Sequence, residues 1–298
     1  MSVQQRFVPM LMAGLLTACS PVGVLNALAP RRGISVRRGL AYAPGARHRL
    51  DVYAPEVTGA ARPVVVFFYG GGWEDGHREM YRFVGAALAK RGLVTVIPDY
   101  RLFPQVRFPA FMHDAAASVA WTETHIAGFG GDPRRIFLMG HSAGAQIATL
   151  LALDTRYLCT AGADDDTIAG VIGLAGPYDF LPLRTPTLRA IFGPESFWPQ
   201  SQPINFASAE SPPMFLAAGT ADTTVNPGNT RRLAARLRAD GVTVETRLYS
   251  GEGHKMLIGG FAGILSSALP VRHDVLQFIA AHQKPVPAAP LRVCATVP

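Results

Sequence analysis

The sequence predicts an α/β domain, with a mainly parallel central sheet and helices on both of its faces. Two observations carry this. RPVVVFF (62–68) is an apolar run rich in β-branched and aromatic residues, as a strand buried on both faces is, and LVTVIP (93–98) and RRIFLMG (134–140) read as further strands. Helix-period segments alternate with such runs along the chain, the order that parallel crossover connections produce. The 298 residues are 49% hydrophobic, enough for one large core.

The elements follow in order. GLAYAPGARHRLDVYAPE (39–56) reads as two short strands joined by a Pro-Gly turn, and RPVVVFFYGGGW (62–73) as a buried strand that ends in glycines. A helical pattern covers 80–91. LVTVIPDYRL (93–102) is the next strand, ended by Pro98, and FMHDAAASVAWTETHIAGFG (111–130) is helical in period. The strand at 134–140 precedes a helix over 143–153. Strands follow in IAGVIGLAGPYD (168–179) and PPMFLAAGTAD (212–222). NTRRLAARLRADG (229–241) is a helix stopped by Gly241. VTVETRLYS (242–250) is a strand, GEGH (251–254) a loop, and VRHDVLQFIAAHQK (271–284) an amphipathic helix. Residues 182–213, rich in proline and aromatics, read equally as a small lid over a pocket or as a long packed connection. There is no internal repeat and no interdomain linker. The domain reading is therefore a leader over 1–29, one domain over 30–284, and a loose Pro/Ala-rich tail over 285–298.

The net charge is +7, but the arginines are scattered apart from pairs such as Arg31–Arg32, Arg37–Arg38 and Arg231–Arg232. No basic stripe interleaves with aromatics, which argues against a nucleic-acid partner. The leader has one early positive charge, Arg6, then an apolar stretch over 7–16 that is too short to span a bilayer and has the form of a signal peptide. LTAC (16–19) resembles a bacterial lipobox, with Cys19 as the lipidated residue and membrane attachment through it. ALA (27–29) is a small-x-small site for ordinary secretion. The lipobox is preferred because Cys19 abuts the apolar run. Either processing places the protein outside the cytoplasm, on the periplasmic side of a bacterial membrane or secreted. Cys159 and Cys294 are then free to pair in an oxidising compartment. No His/Cys metal spacing is present, and no cofactor is implied.

The chemistry centres on GHSAG (140–144), set between a buried strand and a helix. That is the setting of a nucleophile elbow, in which Ser142 projects from strained backbone while Gly140 and Gly144 leave room for the turn. A serine hydroxyl needs a base. His254 follows the last strand in a glycine-rich loop and has the right place in chain order, whereas His141 is expected to point elsewhere on the turn. Asp222, just beyond a strand end, is positioned to hold the His254 tautomer. Asp179 is the rival acid one strand earlier, and Glu252 lies too close in sequence to reach the ring. FFYGGGW (67–73) offers backbone N–H groups for an oxyanion, joined by the N–H after the serine.

Together YGGGW, PDYRLFP, DPRRIFLMGHSAG, GPYDF, GTADTTV and GEGH resemble the α/β-hydrolase superfamily, and within it the carboxylesterases of the hormone-sensitive-lipase-like and small bacterial esterase groups. The resemblance spans 50–280. It implies the α/β-hydrolase fold with at most a small lid, and ester hydrolysis through an acyl-enzyme without metal or cofactor. It also implies Ser142, Asp222 and His254 as triad, Gly71, Gly72 and Ala143 as oxyanion donors, and a small-molecule ester of short to medium acyl length as substrate. Tyr69 stands where these groups have histidine, which raises the expectation that Tyr69 and Trp73 shape substrate binding; Trp73 reads equally as a packing residue. The same parts would serve an arylformamidase or another C–N hydrolase, and the fold also supports silent binding proteins.

Overall fold

The computed structural model describes residues 21–56 and 59–283. Among the described residues eight strands form one sheet: β1 (Ile34–Ala41), β2 (Arg49–Pro55), β3 (Arg62–Phe68), β4 (Val94–Pro98), β5 (Gly131–His141), β6 (Ile168–Leu174), β7 (Met214–Gly219) and β8 (Val244–Tyr249). Their spatial order is β1-β2-β4-β3-β5-β6-β7-β8. β2 is antiparallel to both β1 and β4, and every other neighbouring pair is parallel.

The apolar runs sit where their composition places them. In β3, residues 63–68 are all buried, as is every residue of β4, β6 and β7, so both sheet faces are covered. β1 and β8 are the edges. They carry charged residues, Arg37 and Arg38 on one and Glu245 and Arg247 on the other, which discourages edge-to-edge pairing.

The helices are α1 (Pro21–Ala27), α2 (Arg82–Ala89), α3 (Ala110–His125), α4 (Ala143–Leu153), α5 (Arg156–Thr160), α6 (Pro186–Phe192), α7 (Gly228–Ala239), α8 (His254–Gly259) and α9 (Val271–Ala281). α4 is buried over 143–152 and apolar nearly all round, as a central helix should be. α9 packs Phe278 against Phe137 of β5 and Phe215 of β7. Removing a buried phenylalanine of this kind costs about 3–5 kcal/mol.

Three stretches gain detail in the structure. Residues 21–29 belong to the folded body. Asn26 Nδ2 donates to the carbonyls of Glu79 and Met80, and its Oδ1 accepts from the Phe83 N–H, so α1 is fastened to the start of α2. His254 opens α8 instead of ending a loop. The irregular stretch 182–213 contains α6 and two short 3-10 turns, and its start lines a cavity at the carboxyl ends of the strands. It is thus both a packed connection and a rim. Residues 1–20 and 284–298, which include Cys19 and Cys294, lie outside the described residues. Cys159 is disulfide-bonded.

Candidate active site

The carboxyl ends of β3, β5, β6, β7 and β8 converge, the edge of an open parallel sheet where ligands bind. Among the described residues, three non-glycine residues have positive φ: Trp73 at 63°, Ser142 at 56° and Ala175 at 51°. They lie in the turns that leave β3, β5 and β6. Such backbone costs on the order of 1–3 kcal/mol per residue and collects where function requires it.

Ser142 is held in this conformation from both sides. Its N–H donates to the Leu174 carbonyl at 2.9 Å, and its carbonyl accepts from Ala145 at 2.9 Å and Gln146 at 3.2 Å. A Cβ on Gly140 would overlap the Gly144 carbonyl, and one on Gly144 would overlap Phe68, so the elbow needs both glycines. Gly70, passed over in the sequence, lies just as close: a Cβ there would stand 3.0 Å from the Ser142 Cβ.

Asp222 and His254 are brought together. The carboxylate Oδ2 lies 2.7 Å from His254 Nδ1, and Oδ1 accepts from the N–H groups of Thr224 and Val225, each at 2.9 Å. The Asp222 side chain is fully buried. Its loop is fixed to the histidine loop where Thr220 N–H donates to the Tyr249 carbonyl and Ala221 N–H to that of Glu252. Asp179, the rival acid, is paired with Arg232 on the cavity rim. Ser142 Oγ makes no hydrogen bond among the described residues. A nucleophile–base contact of this kind commonly tightens only when substrate binds.

His141 does not turn away from the site. Its Nε2–H donates to the His254 carbonyl at 3.0 Å, and the two rings lie 4.8 Å apart, so it packs against the histidine. Burial first, then the neighbouring His254, push the His141 imidazole down to about 3. A free histidine titrates near 6.5. The folded value lies below the unfolded one, so the unfolded chain takes up the proton first. The neutral ring therefore contributes stability in full above about pH 6.5, and that contribution is lost as the pH falls toward 3. A His141→Phe variant should show a flatter fall of the urea midpoint between about pH 6.5 and 4.5 than the parent. Parallel curves would mean that His141 titrates freely in the fold.

The glycine loop divides the expected donors. Gly72 and Ala143 line the cavity with Ser142 and Trp73. The Ala143 N–H, in the first turn of α4, has no carbonyl of its own helix to bond. Gly71 is not among the lining residues; its carbonyl accepts from Glu74 and Asp75, and this closes the turn.

Tyr69 is corrected from substrate contact to internal brace. It is fully buried behind the loop, stacked between Tyr81 and Tyr100. Its hydroxyl donates to Asp99 Oδ1 at 2.9 Å and accepts from Arg47 at 2.8 Å. Burial, then Tyr100 and Asp99, push the phenol well up, so it stays a neutral donor. Arg47 also holds the Gly76 carbonyl at the far end of the loop, and Arg78 joins Asp99 to Asp51. Trp73 both packs and lines the cavity. Its indole N–H donates to Gln146 Oε1 at 3.1 Å, and its ring meets Phe180 and Phe192. Gln146 in turn donates to the Ser201 carbonyl. A glutamine one turn into a buried, mainly apolar helix was the available signal for it.

The cavity has a volume of about 460 Å3. A larger one of about 640 Å3 lies at the opposite, amino ends of β6 and β7, beside Ile168 and Pro213, away from the serine. Among the described residues no cluster of His, Cys, Asp or Glu is arranged to hold a metal ion.

The BD-FAE family matches residues 50–237. An isoprenylcysteine alpha-carbonyl methylesterase of Arabidopsis thaliana is 32% identical over 240 residues, covering 74% of this chain and 56% of that protein. Esterase LipC of Mycobacterium tuberculosis is 30% identical over 280 residues, covering 86% of this chain and 67% of its own. The chain spans between about half and two thirds of the length of the curated relatives it matches. In structure, Thermogutta terrifontis esterase 2, solved phosphoramylated by tabun, is 25% identical with a TM-score of 0.69, covering 85% of this chain and 96% of that one. The chain belongs to the BD-FAE family and has the α/β-hydrolase fold, which it shares with solved esterases.

Proposed function

We propose that the protein is a serine carboxylesterase acting on small esters of short to medium acyl length. The observation that carries this is the buried Asp222 carboxylate paired with His254 at the same end of the sheet as a strained serine, which lines a mostly apolar cavity. In this reading His254 Nε2 takes the Ser142 proton as Oγ attacks the ester carbonyl. Asp222 holds the proton on Nδ1 and stabilises the imidazolium. The N–H groups of Ala143 and Gly72 receive the oxyanion, each worth roughly 3 kcal/mol in the transition state. His254 then returns the proton to the leaving alcohol. Water repeats the cycle to release the acid. A volume of about 460 Å3 suits a compact substrate. The test is hydrolysis of p-nitrophenyl esters of increasing acyl length, together with labelling by a fluorophosphonate. Activity that peaks at short to medium chains and a label on Ser142 are expected. Silence in both assays would refute the reading.

The same proposal includes export with lipidation of Cys19. Supporting it are the apolar run before Cys19, the disulfide bond at Cys159, which suits an oxidising compartment, and the fastening of α1 to the body. Cleavage after Ala29 would remove that helix. Mass spectrometry of the protein made in a bacterial host should show an acylated N-terminal Cys19. A mature chain that starts at Pro30 would rule it out.

A further inference from the structure

The cavity over Ser142 is mostly apolar, walled by Trp73, Phe180, Leu181, Leu188 and Val225. Its charged lining is Asp179, Arg184 and Arg232. Asp179 is already engaged. The Arg232 guanidinium pairs with its carboxylate and donates to its backbone carbonyl at 2.8 Å, and Asn229 Oδ1 accepts from its N–H at 2.8 Å. Arg184 is exposed and makes no hydrogen bond or ion pair among the described residues. The chain on either side of it is nonetheless anchored. Leu183 is fully buried and its carbonyl accepts from Arg189 Nε at 2.9 Å, while Thr185 caps α6 by accepting from the Leu188 N–H. A guanidinium thus stands at the edge of the cavity on a fixed segment. Two arginines against one aspartate leave one positive charge uncompensated there.

Resting on the serine-esterase reading above, we propose that Arg184 is a specificity-determining residue and that the preferred substrates are esters carrying a carboxylate a few bonds from the scissile carbonyl. The apolar wall takes the body of such a substrate. The planar fork of Arg184 matches its carboxylate in a two-point contact that an ammonium reproduces as charge but not as geometry. The net charge of +7 adds a longer-range attraction for an anion, one that salt screens.

The experiment compares kcat/KM for two pairs of esters: methyl butyrate with monomethyl glutarate, and phenyl acetate with 4-acetoxybenzoate. Each pair differs by one carboxylate, on the acyl side in the first and the alcohol side in the second. In the pair whose carboxylate reaches Arg184, the charged-to-neutral ratio should fall about tenfold in Arg184→Gln, recover in part in Arg184→Lys, and fall further in Arg184→Glu. Added salt should compress the ratio of the parent enzyme more steeply than that of Arg184→Gln, which keeps only the attraction of the remaining net charge. If both ratios stay within about twofold across these variants, Arg184 does not set specificity, although hydrolysis of the neutral esters would still uphold the esterase reading. If none of the four esters is hydrolysed, the esterase reading fails and this proposal falls with it.

Discussion

Ser142→Ala should lower kcat/KM on p-nitrophenyl butyrate by roughly 10^5- to 10^6-fold, the scale of loss when the nucleophile of such a triad is removed. It should do so without unfolding the protein. Ser142 Oγ has no hydrogen-bond partner among the described residues, so its removal strands no buried group. The backbone bonds that hold the turn, from Ser142 N–H to Leu174 and from Ala145 and Gln146 to the Ser142 carbonyl, involve no side-chain atom. A melting temperature within a few degrees of the parent is expected, together with loss of fluorophosphonate labelling. A folded Ser142→Ala protein that keeps more than about a tenth of the activity would show that another group is the nucleophile.

Asp222→Asn should lower kcat by about 10^4-fold with a smaller effect on KM. The carboxylate accepts three hydrogen bonds, from Thr224, Val225 and the His254 ring. An asparagine can keep Oδ1 on the two backbone donors, and it then turns its amide nitrogen toward His254. Two donors cannot share that contact, so the ring moves its proton to Nε2 and loses the lone pair that Ser142 needs. The charge-assisted bond is lost as well, at about 1.5–3 kcal/mol of stability. Kinetics and thermal melting of the variant check both effects. A loss of the same size at Asp179→Asn, with Asp222→Asn nearly active, would transfer the acid role to the neighbouring turn.

Much of this was legible in the chain. The both-face burial of β3, β4, β6 and β7 follows from unbroken apolar runs, and α4 covers the residues its pattern marks, Ala143–Leu153. The Ser142 turn, and the meeting of Asp222 and not Asp179 with His254, followed from motif and strand-end order. What escaped were long-range polar partnerships. Tyr69 finds Asp99 30 positions later and Arg47 22 positions earlier, and neither spacing leaves a local pattern. His141 reaches a carbonyl 113 positions away, and Asn26 fastens residues that composition alone grouped with a leader.

The sequence by itself determined which segments are strands and helices, and that a serine sits at a sharp turn between two of them. Side-chain periodicity and backbone sterics act over a few residues, so a single chain displays them directly. Only the tertiary structure decided that Tyr69 is a brace, that His141 contacts His254, and that Arg184 stands beside the cavity with no partner among the described residues. Those outcomes depend on which chain ends the strand order brings together, and on which donors and acceptors are left to satisfy one another once water has been excluded.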